Sequence, residues 1–340
     1  MKTLLATDLH LTDNERDSYR WGLFSWLAKT IIAKKVDSIY FLGDITDAKD
    51  KHSAILVNRI VEEMHHLAEH CPVTILRGNH DYLRDQQAFL SFLNRVPNIE
   101  FVDKVTKKQS GDKYLLFLPH TRQPEFEWAN INFYDYDLIF MHETAKGSLV
   151  SNGTLMEEGI DGNFSDKELH PDTMIFSGDI HVPQQIGKII YVGSPYPVHF
   201  GDKFKGRCIL FDDQNPYETF QELHFPTIEK FTATIKSVDD VKDLSLESGD
   251  QVKLKLELTP AEYSDWQKTR QEVMNYLEEK GVLLCGFELH TKKTTRVRLI
   301  DAKKTASSRN YPDALRAYAK SQKLEDELVE TGLVILGYSK

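Results

Sequence analysis

Ser38-Ile39-Tyr40-Phe41-Leu42-Gly43-Asp44-Ile45-Thr46-Asp47 is the stretch whose reading decides the fold. Ile39–Leu42 is an apolar run too short for a helix, closed by a glycine, and it reads as a strand buried on both faces. Two carboxylates follow within five residues of its end. Outward from this stretch, the same shape recurs. Asp8-Leu9-His10 follows the apolar Thr3–Thr7, and Gly78-Asn79-His80-Asp81 follows Val73–Leu76. Met141-His142-Glu143 ends the run from Leu138, and Gly178-Asp179-Ile180-His181 follows Met174–Phe176. Any one of these clusters is an ordinary turn, because Gly, Asp and Asn are frequent turn formers. Five in series, each directly after a strand, are not.

Between the early strands lie segments of helical periodicity, Trp21–Lys34 and Ala54–Ala68. Short buried strands alternating with amphipathic helices predict an α/β core whose sheet faces are covered. In such sheets ligands collect where loops leave the carboxyl ends of strands, which is where the polar clusters sit. From Asn98 onward strands come closer together: Tyr114–Leu118, Leu138–Met141, Met174–Phe176, Ile189–Val192 and Cys208–Phe211. These predict a second sheet packed on the first, a two-sheet sandwich flanked by helices over residues 1–226. The Gly-, Ser- and Asn-rich Ala145–Asp172 reads as a long functional or mobile loop.

Past Pro226 the pattern changes. Lys230–Ser237 and Gln251–Leu258 alternate as half-buried strands do, and Thr259-Pro260-Ala261-Glu262 has the residues of a capping box opening a helix to about Lys280. With strands at Val282–His290 and Arg296–Ile300, this predicts a small α+β capping domain at 227–305. Tyr311–Ile335 reads as one or two helices with Leu315, Tyr318, Leu324 and Leu328 inward, within a C-terminal helical segment at 306–340. It is either packed on the enzyme's own core or a docking element for a partner.

The 340 residues are 41% hydrophobic and 28% charged, with a net charge of −10, which argues against indiscriminate nucleic-acid binding over the whole surface. No apolar stretch approaches the roughly 20 residues of a membrane span. Asp8 and His10 interrupt the apolar start before a signal-peptide core can form. Cys71, Cys208 and Cys285 are odd in number and widely spaced, which fits free thiols in a reducing cytoplasm. Locally, Lys292, Lys293, Arg296 and Arg298 form a basic run, and Lys203, Lys205 and Arg207 a second, both suited to holding phosphates without reading sequence.

Carboxylates, imidazoles and one amide are the ligand types that hold two divalent metals side by side. Asp44 offers two oxygens and can bridge both ions. Asp8, His10, Asp44 and His181 would hold one ion; Asp44, Asn79, His142 and Asp179 would hold the other. His80, beside a ligand, is better placed to donate a proton to a leaving oxygen.

These residues resemble the calcineurin-like metallophosphoesterases. Gly43–Asp47 matches that family's Gly-Asp-x-x-Asp motif and Gly78–Asp81 its Gly-Asn-His-(Asp/Glu) motif. The resemblance implies that Asn79 is a ligand, that His80 is catalytic and that Asp47 orients it. One departure stands out: the usual Gly-His-x-His is here Gly178-Asp179-Ile180-His181. A carboxylate in place of an imidazole hardens the site and favours Mn²⁺ or Mg²⁺. The Tyr191-Val192-Gly193-Ser194-Pro195 stretch, with Phe200-Gly201-Asp202 beyond it, resembles SbcD-type DNA-repair exonuclease subunits. That resemblance covers residues 1–212 motif by motif. It implies a manganese-dependent exonuclease on duplex ends with endonuclease action on single strands, a homodimer, an SbcC-like ATPase partner of the SMC class, and a bacterial or phage-host cytoplasm. A nucleotide or small-molecule phosphodiesterase and a non-catalytic scaffold of the same fold are the alternatives.

Overall fold

The computed structural model describes residues 1–83, 88–259, 262, 265–291, 311–322 and 326–335. Strands β1 (Lys2–Ala6), β2 (Ser38–Phe41), β3 (Val73–Leu76) and β4 (Ile99–Val102) run parallel in that order, joined by the helices α1 (Gly22–Lys34) and α2 (Ala54–Ala68). A second sheet holds β5 (Thr106–Ser110), β6 (Lys113–Leu118), β7 (Leu138–His142), β8 (Met174–Gly178), β9 (Gln184–Ile186) and β10 (Ile189–Tyr191). Its order is β5-β6-β7-β8-β10-β9, with β6, β7, β8 and β10 parallel. β11 (Cys208–Asp212) and β12 (Gln221–Leu223) then return to the first sheet, β11 antiparallel to β1.

The inner strands β2, β3, β7 and β8 are buried along their whole length because both of their faces are covered, whereas the edge strands β5, β9 and β12 are polar. In β2, Ile39 and Phe41 turn toward α1 and α2, while Tyr40 and Leu42 turn toward the second sheet. In β7, Leu138 and Phe140 face the first sheet, and Ile139 and Met141 face outward onto Trp128, Phe133 and Phe164. The inter-sheet layer is a run of aromatic contacts: Tyr40 on Phe117 at 5.2 Å, Phe117 on Phe140 at 5.0 Å and Phe176 on Phe211 at 5.1 Å between ring centroids. Fully burying each such ring contributes roughly 1.5–3 kcal/mol. The long loop after β7, expected to be functional or mobile, is folded down as the cover of the second sheet. Ile160 N–H bonds the Thr144 carbonyl at 2.9 Å, and Val150, Met156, Ile160 and Phe164 pack on that outer layer.

A three-stranded sheet follows, β13 (Lys230–Ile235), β14 (Gln251–Leu258) and β15 (Leu283–Thr291), with a helix at Trp266–Lys280 ended by left-handed Gly281. That helix begins later than its capping-box residues suggest. Glu262 accepts from the Thr259 N–H at 2.8 Å and from the Thr259 hydroxyl at 2.7 Å, so the threonine hydroxyl is engaged by the glutamate. Met1–Leu256 with Asp265–Leu289 form one compact unit, and Glu257–Ser264 with His290–Lys340 a second. In the second, Tyr311–Ser321 and Asp326–Ile335 are separate helices that bury Ala319, Val329 and Leu333 against Leu315. Tyr318 and Leu328, expected inward, are 46% and 63% exposed. Leu324 lies outside the described residues. Among the described residues no helix is long and apolar enough to cross a membrane. All three cysteines are free, with Cys71 and Cys208 buried.

Within the first unit, one ionic cluster ties the three-stranded sheet to the loop after β1. Asp17 Oδ1 lies 3.2 Å from Arg20 Nη2 and 3.7 Å from Lys230 Nζ, and all three side chains are buried. Burial and the neighbouring Arg20 push Lys230 down to about 8. Two cations share one carboxylate, so the carboxylate is indispensable and the second cation is not. Asp17→Asn is expected to cost about 3–5 kcal/mol, as removal of one partner from a buried ion pair does, whereas Lys230→Met should stay within about 1 kcal/mol. Urea denaturation of the two variants checks this; equal losses would refute it.

Candidate metal centre

The strand ends meet at one point. Asp8 and His10 follow β1, Asp44 follows β2, Asn79 and His80 follow β3, His142 closes β7, and Asp179 and His181 follow β8. The backbone there is unusual. Asp8, His10, Asp44 and Asp179 all take positive φ, at 54°, 43°, 53° and 80°. L-residues rarely hold this conformation, and Asp is among the side chains that tolerate it best. It ends each strand abruptly and turns the side chain into the junction between the sheets.

Neighbouring groups hold those backbones in place. The carbonyls of three successive residues are each bonded: Asp8 by the Ser194 hydroxyl at 3.1 Å, Leu9 by the Tyr196 hydroxyl at 2.7 Å, and His10 by Arg20 Nη1. Ser194 N–H also bonds the His181 carbonyl at 2.9 Å. The Gly193–Tyr196 loop is thus a brace under ligands from both sheets. Asp81, fully buried, accepts from Gly78 N at 2.7 Å, Asp44 N at 3.0 Å and Ile45 N at 3.2 Å, locking the loops after β2 and β3 together. Gly43 and Gly78 are required by crowding, since a Cβ on Gly43 would strike the His142 ring and one on Gly78 the Asp44 carboxylate.

Asp44 divides its two oxygens. Oδ1 lies 3.4 Å from His142 Nε2, and Oδ2 lies 3.6 Å from His10 Nε2. Asp8, His10 and His181 form one compact set of donors, and Asp8, Asp44 and His142 another. His10 and His181 bring their Nε2 atoms within 3.0 Å of each other. His142 Nδ1 lies 2.5 Å from the Leu42 carbonyl, which only accepts, so Nδ1 carries a proton and Nε2 is the atom that would bind a cation once its own proton is displaced. Asn79 turns its amide N–H to Asp179 Oδ1 at 2.6 Å, leaving its own oxygen free. Asp179 takes a second donor, the Thr144 hydroxyl, on Oδ2, and its Oδ1 lies 3.7 Å from His142 Nε2. The junction also contains buried atoms without any hydrogen-bond partner: Asp8 Oδ2, Asn79 Oδ1 and His142 Nε2. Each can offer a lone pair once any proton on it is displaced, and orphaned buried atoms of this kind fit divalent metal ions.

The electrostatics fit as well. Burial, with Asp44 and Asp179 close by, holds the Asp8 carboxyl up at about 7. Burial also pushes Asp44 upward, but His142, His10 and His80 outweigh it and hold this carboxyl well below the usual range. Burial would lower His142, yet Asp44, Asp8 and Asp179 raise it well above the ordinary imidazole value. Burial and the neighbouring His10 and His199 drive His181 down to about 3, leaving it neutral, as a ligand must be.

His80 Nδ1 sits 2.6 Å from the main-chain carbonyl of Asp47. Asp47 therefore meets His80 through its backbone, while its carboxylate faces His10 Nδ1 at 3.4 Å. Sequence reasoning assigned no role to three residues here. Thr144 holds Asp179, Asp81 locks two loops, and the His199 ring stacks 5.6 Å from His181. Asp81 carried a signal as the last member of the Gly78–Asp81 motif, and His199 by standing between the Gly-Ser-Pro and Phe-Gly-Asp stretches; Thr144 carried none. Of the basic residues, Lys203 and Lys205 are exposed. Arg207 instead binds the Tyr191 and Val192 carbonyls at 2.8 and 3.0 Å and serves the fold. Lys292, Lys293, Arg296 and Arg298 lie outside the described residues.

The family model for calcineurin-like phosphoesterases matches residues 1–183. Two curated viral proteins named as phosphoesterases are similar. One is 078R of Invertebrate iridescent virus 3, 24% identical over 296 residues, covering 82% of this chain and 81% of its own. The other is 244L of Invertebrate iridescent virus 6, 25% identical over 202 residues, covering 54% of this chain and 67% of its own. Among solved structures, an archaeal phosphodiesterase matches at 14% identity and TM-score 0.36, covering 66% of this chain and 100% of its own. The protein of unknown function AQ665 from Aquifex aeolicus matches at 20% identity and TM-score 0.27, covering 42% and 79%.

If Asp179 is a ligand, Asp179→Ala should lower the number of Mn²⁺ ions bound tightly from two to one, read by equilibrium dialysis, with most activity lost. Two retained ions would remove Asp179 from the ligand set. A second expectation concerns pH. The metal-free fold keeps a proton on Asp8 up to about pH 7, whereas an ordinary carboxyl loses it near 3.8. His142 likewise keeps one above the ordinary 6.5. Both raised groups make the metal-free fold less stable as pH rises, and a bound cation displaces both protons. Saturating Mn²⁺ should therefore raise Tm more at pH 8 than at pH 6, and an equal or smaller gain at pH 8 would contradict the assignment.

Proposed function

Because this chain belongs to the calcineurin-like phosphoesterase family, we propose that it is a two-metal phosphodiesterase whose substrate is DNA. The observation that carries the two-metal reading is the division of Asp44, with one oxygen toward His142 and the other toward His10. Asp8, His10, Asp44 and His181 would hold one ion, and Asp44, Asn79, His142 and Asp179 the second. When bound, such a pair supplies an activated water and neutralises the phosphoryl oxygens.

The chain's own groups complete the chemistry. The proton on His80 Nδ1 is committed to the Asp47 carbonyl, so Nε2 is the atom that carries a proton to the leaving oxygen. The main-chain N–H of His80 also donates to Asp44 Oδ1 at 2.8 Å, which fixes this histidine relative to the carboxylate that would serve both ions. The oxygen-rich donor set supports Mn²⁺, with Mg²⁺ next, as the working ion.

The finer reading is an SbcD-type nuclease, acting as an exonuclease on duplex ends and an endonuclease on single strands, in repair or recombination. It is supported by the Gly-Ser-Pro loop, whose serine and tyrosine brace the Asp8–His10 turn. On this reading the protein works as a homodimer with an SMC-class ATPase, to which the exposed Leu328 and Val334 of the last helix offer an apolar contact.

End-labelled duplex and single-stranded DNA, incubated with Mn²⁺, Mg²⁺ or EDTA, test the proposal. Wild type should degrade DNA only with metal, and His80→Ala should lose roughly 10²–10⁴-fold, the usual contribution of a general acid. Cleavage of small diesters without cleavage of DNA would point to a small-molecule phosphodiesterase. No turnover by metal-loaded protein would point to a scaffold.

A further inference from the structure

Beside the metal centre, a groove of about 560 Å³ opens between the loops after β1 and β2 and the strands β13 and β14. Asp47 and His199 form its wall nearest the metal ligands. The Asp47 carboxylate faces His10 at 3.4 Å and the His199 ring stacks on His181, so groove and centre are continuous.

Its charge runs against that of the chain. In a protein of net charge −10, five lysines and arginines line this groove against three aspartates. Two of those aspartates are already engaged: Asp17 by Arg20 and Lys230, and Asp47 by His10. Lys51 and Lys253 are exposed and meet no carboxylate among the described residues. Arg16 is half exposed and reaches Asp17 only at 3.8 Å. Lys253 is positioned rather than free, since its Nζ lies 4.5 Å from the Phe200 ring centroid. The face of the ring steadies the ammonium but does not neutralise it.

A substrate with a single phosphodiester ends at the metal ligands and offers these cations nothing. A nucleic-acid strand carries its next phosphate onward. We infer that the groove is a second phosphate site, in which Arg16, Lys51 and Lys253 take the phosphate adjoining the scissile one, so that the substrate class is a polynucleotide strand. The inference rests on the phosphodiesterase reading above and deepens it. Contacts of this kind fix the register of a strand without reading its bases.

The full chain tests it through binding and turnover. A fluorescent oligothymidylate is titrated in EDTA against wild type, the double variant Lys51→Glu/Lys253→Glu, and Lys51→Arg/Lys253→Arg. Charge reversal should weaken binding tenfold or more, and the arginine pair should restore it. The wild-type slope of log affinity on log salt should flatten by about 0.7 for each phosphate that is no longer neutralised. With Mn²⁺, the ratio of kcat/KM on the oligonucleotide to that on bis(p-nitrophenyl) phosphate should fall at least tenfold on charge reversal. Unchanged oligonucleotide binding, or equal loss on both substrates, overturns the second phosphate site. A wild type that binds the oligonucleotide through these lysines but hydrolyses neither substrate keeps the site and defeats the phosphodiesterase reading instead.

Discussion

Like charges crowded out of water are the constraint on which the rest of this structure turns. Asp8, Asp44, Asp81 and Asp179 converge at the junction of two sheets, where burial penalises every ionised carboxylate. Removed from water, such a group must gain a proton, a hydrogen bond or a cation. Asp81 is satisfied by three backbone N–H groups. Asp44 is satisfied by imidazoles on either side, and Asp8 keeps a proton up to about pH 7. Asp8 Oδ2 nevertheless has no partner, and neither has His142 Nε2. The junction is built to be completed by positive charge from outside.

Presenting these groups together has a backbone cost. Four of the candidate ligand positions adopt left-handed conformations, each costing on the order of 1–3 kcal/mol for a non-glycine residue. The surrounding hydrogen bonds show how the strain persists: Ser194, Tyr196 and Arg20 each hold one carbonyl of the Asp8–His10 turn. The layers of apolar side chains above and below the sheets keep the strand ends from drifting. The inter-sheet aromatics and the helices α1 and α2 therefore serve the site by making its geometry rigid.

Most of the architecture was legible because it follows from burial on two faces. Runs such as Ser38–Leu42 and Leu138–Met141 have no polar side for water, so they announce strands between two layers, and the polar cluster at each end announces the site. What was not legible depends on contacts far apart in sequence. Thr144 has no motif, yet it holds Asp179 from 35 residues away. Tyr318 and Leu328 look inward by helical spacing, but the two short helices pack on each other through Ala319, Val329 and Leu333. Thr259 and Glu262 are a capping pair by type and bond each other, yet the helix begins only at Trp266.

The buried cluster at Asp17 connects these themes. Arg20 donates both to the His10 carbonyl and to the Val198 carbonyl at 3.1 Å, and Lys230 of β13 donates to that same Val198 carbonyl at 3.0 Å. One main-chain oxygen is thus shared by a cation from beneath a metal ligand and a cation from the three-stranded sheet. A shift of β13 would move Val198 and with it the adjoining His199, while Arg20 would carry the strain back to His10. Two cations around one carboxylate leave this coupling under-neutralised, and burial of surplus positive charge close to a carboxylate-rich junction is favourable only because the junction is negative. The same surplus continues into the groove lined by Phe200, where Lys253 stands over the ring, so positive charge extends from the buried cluster out to the surface.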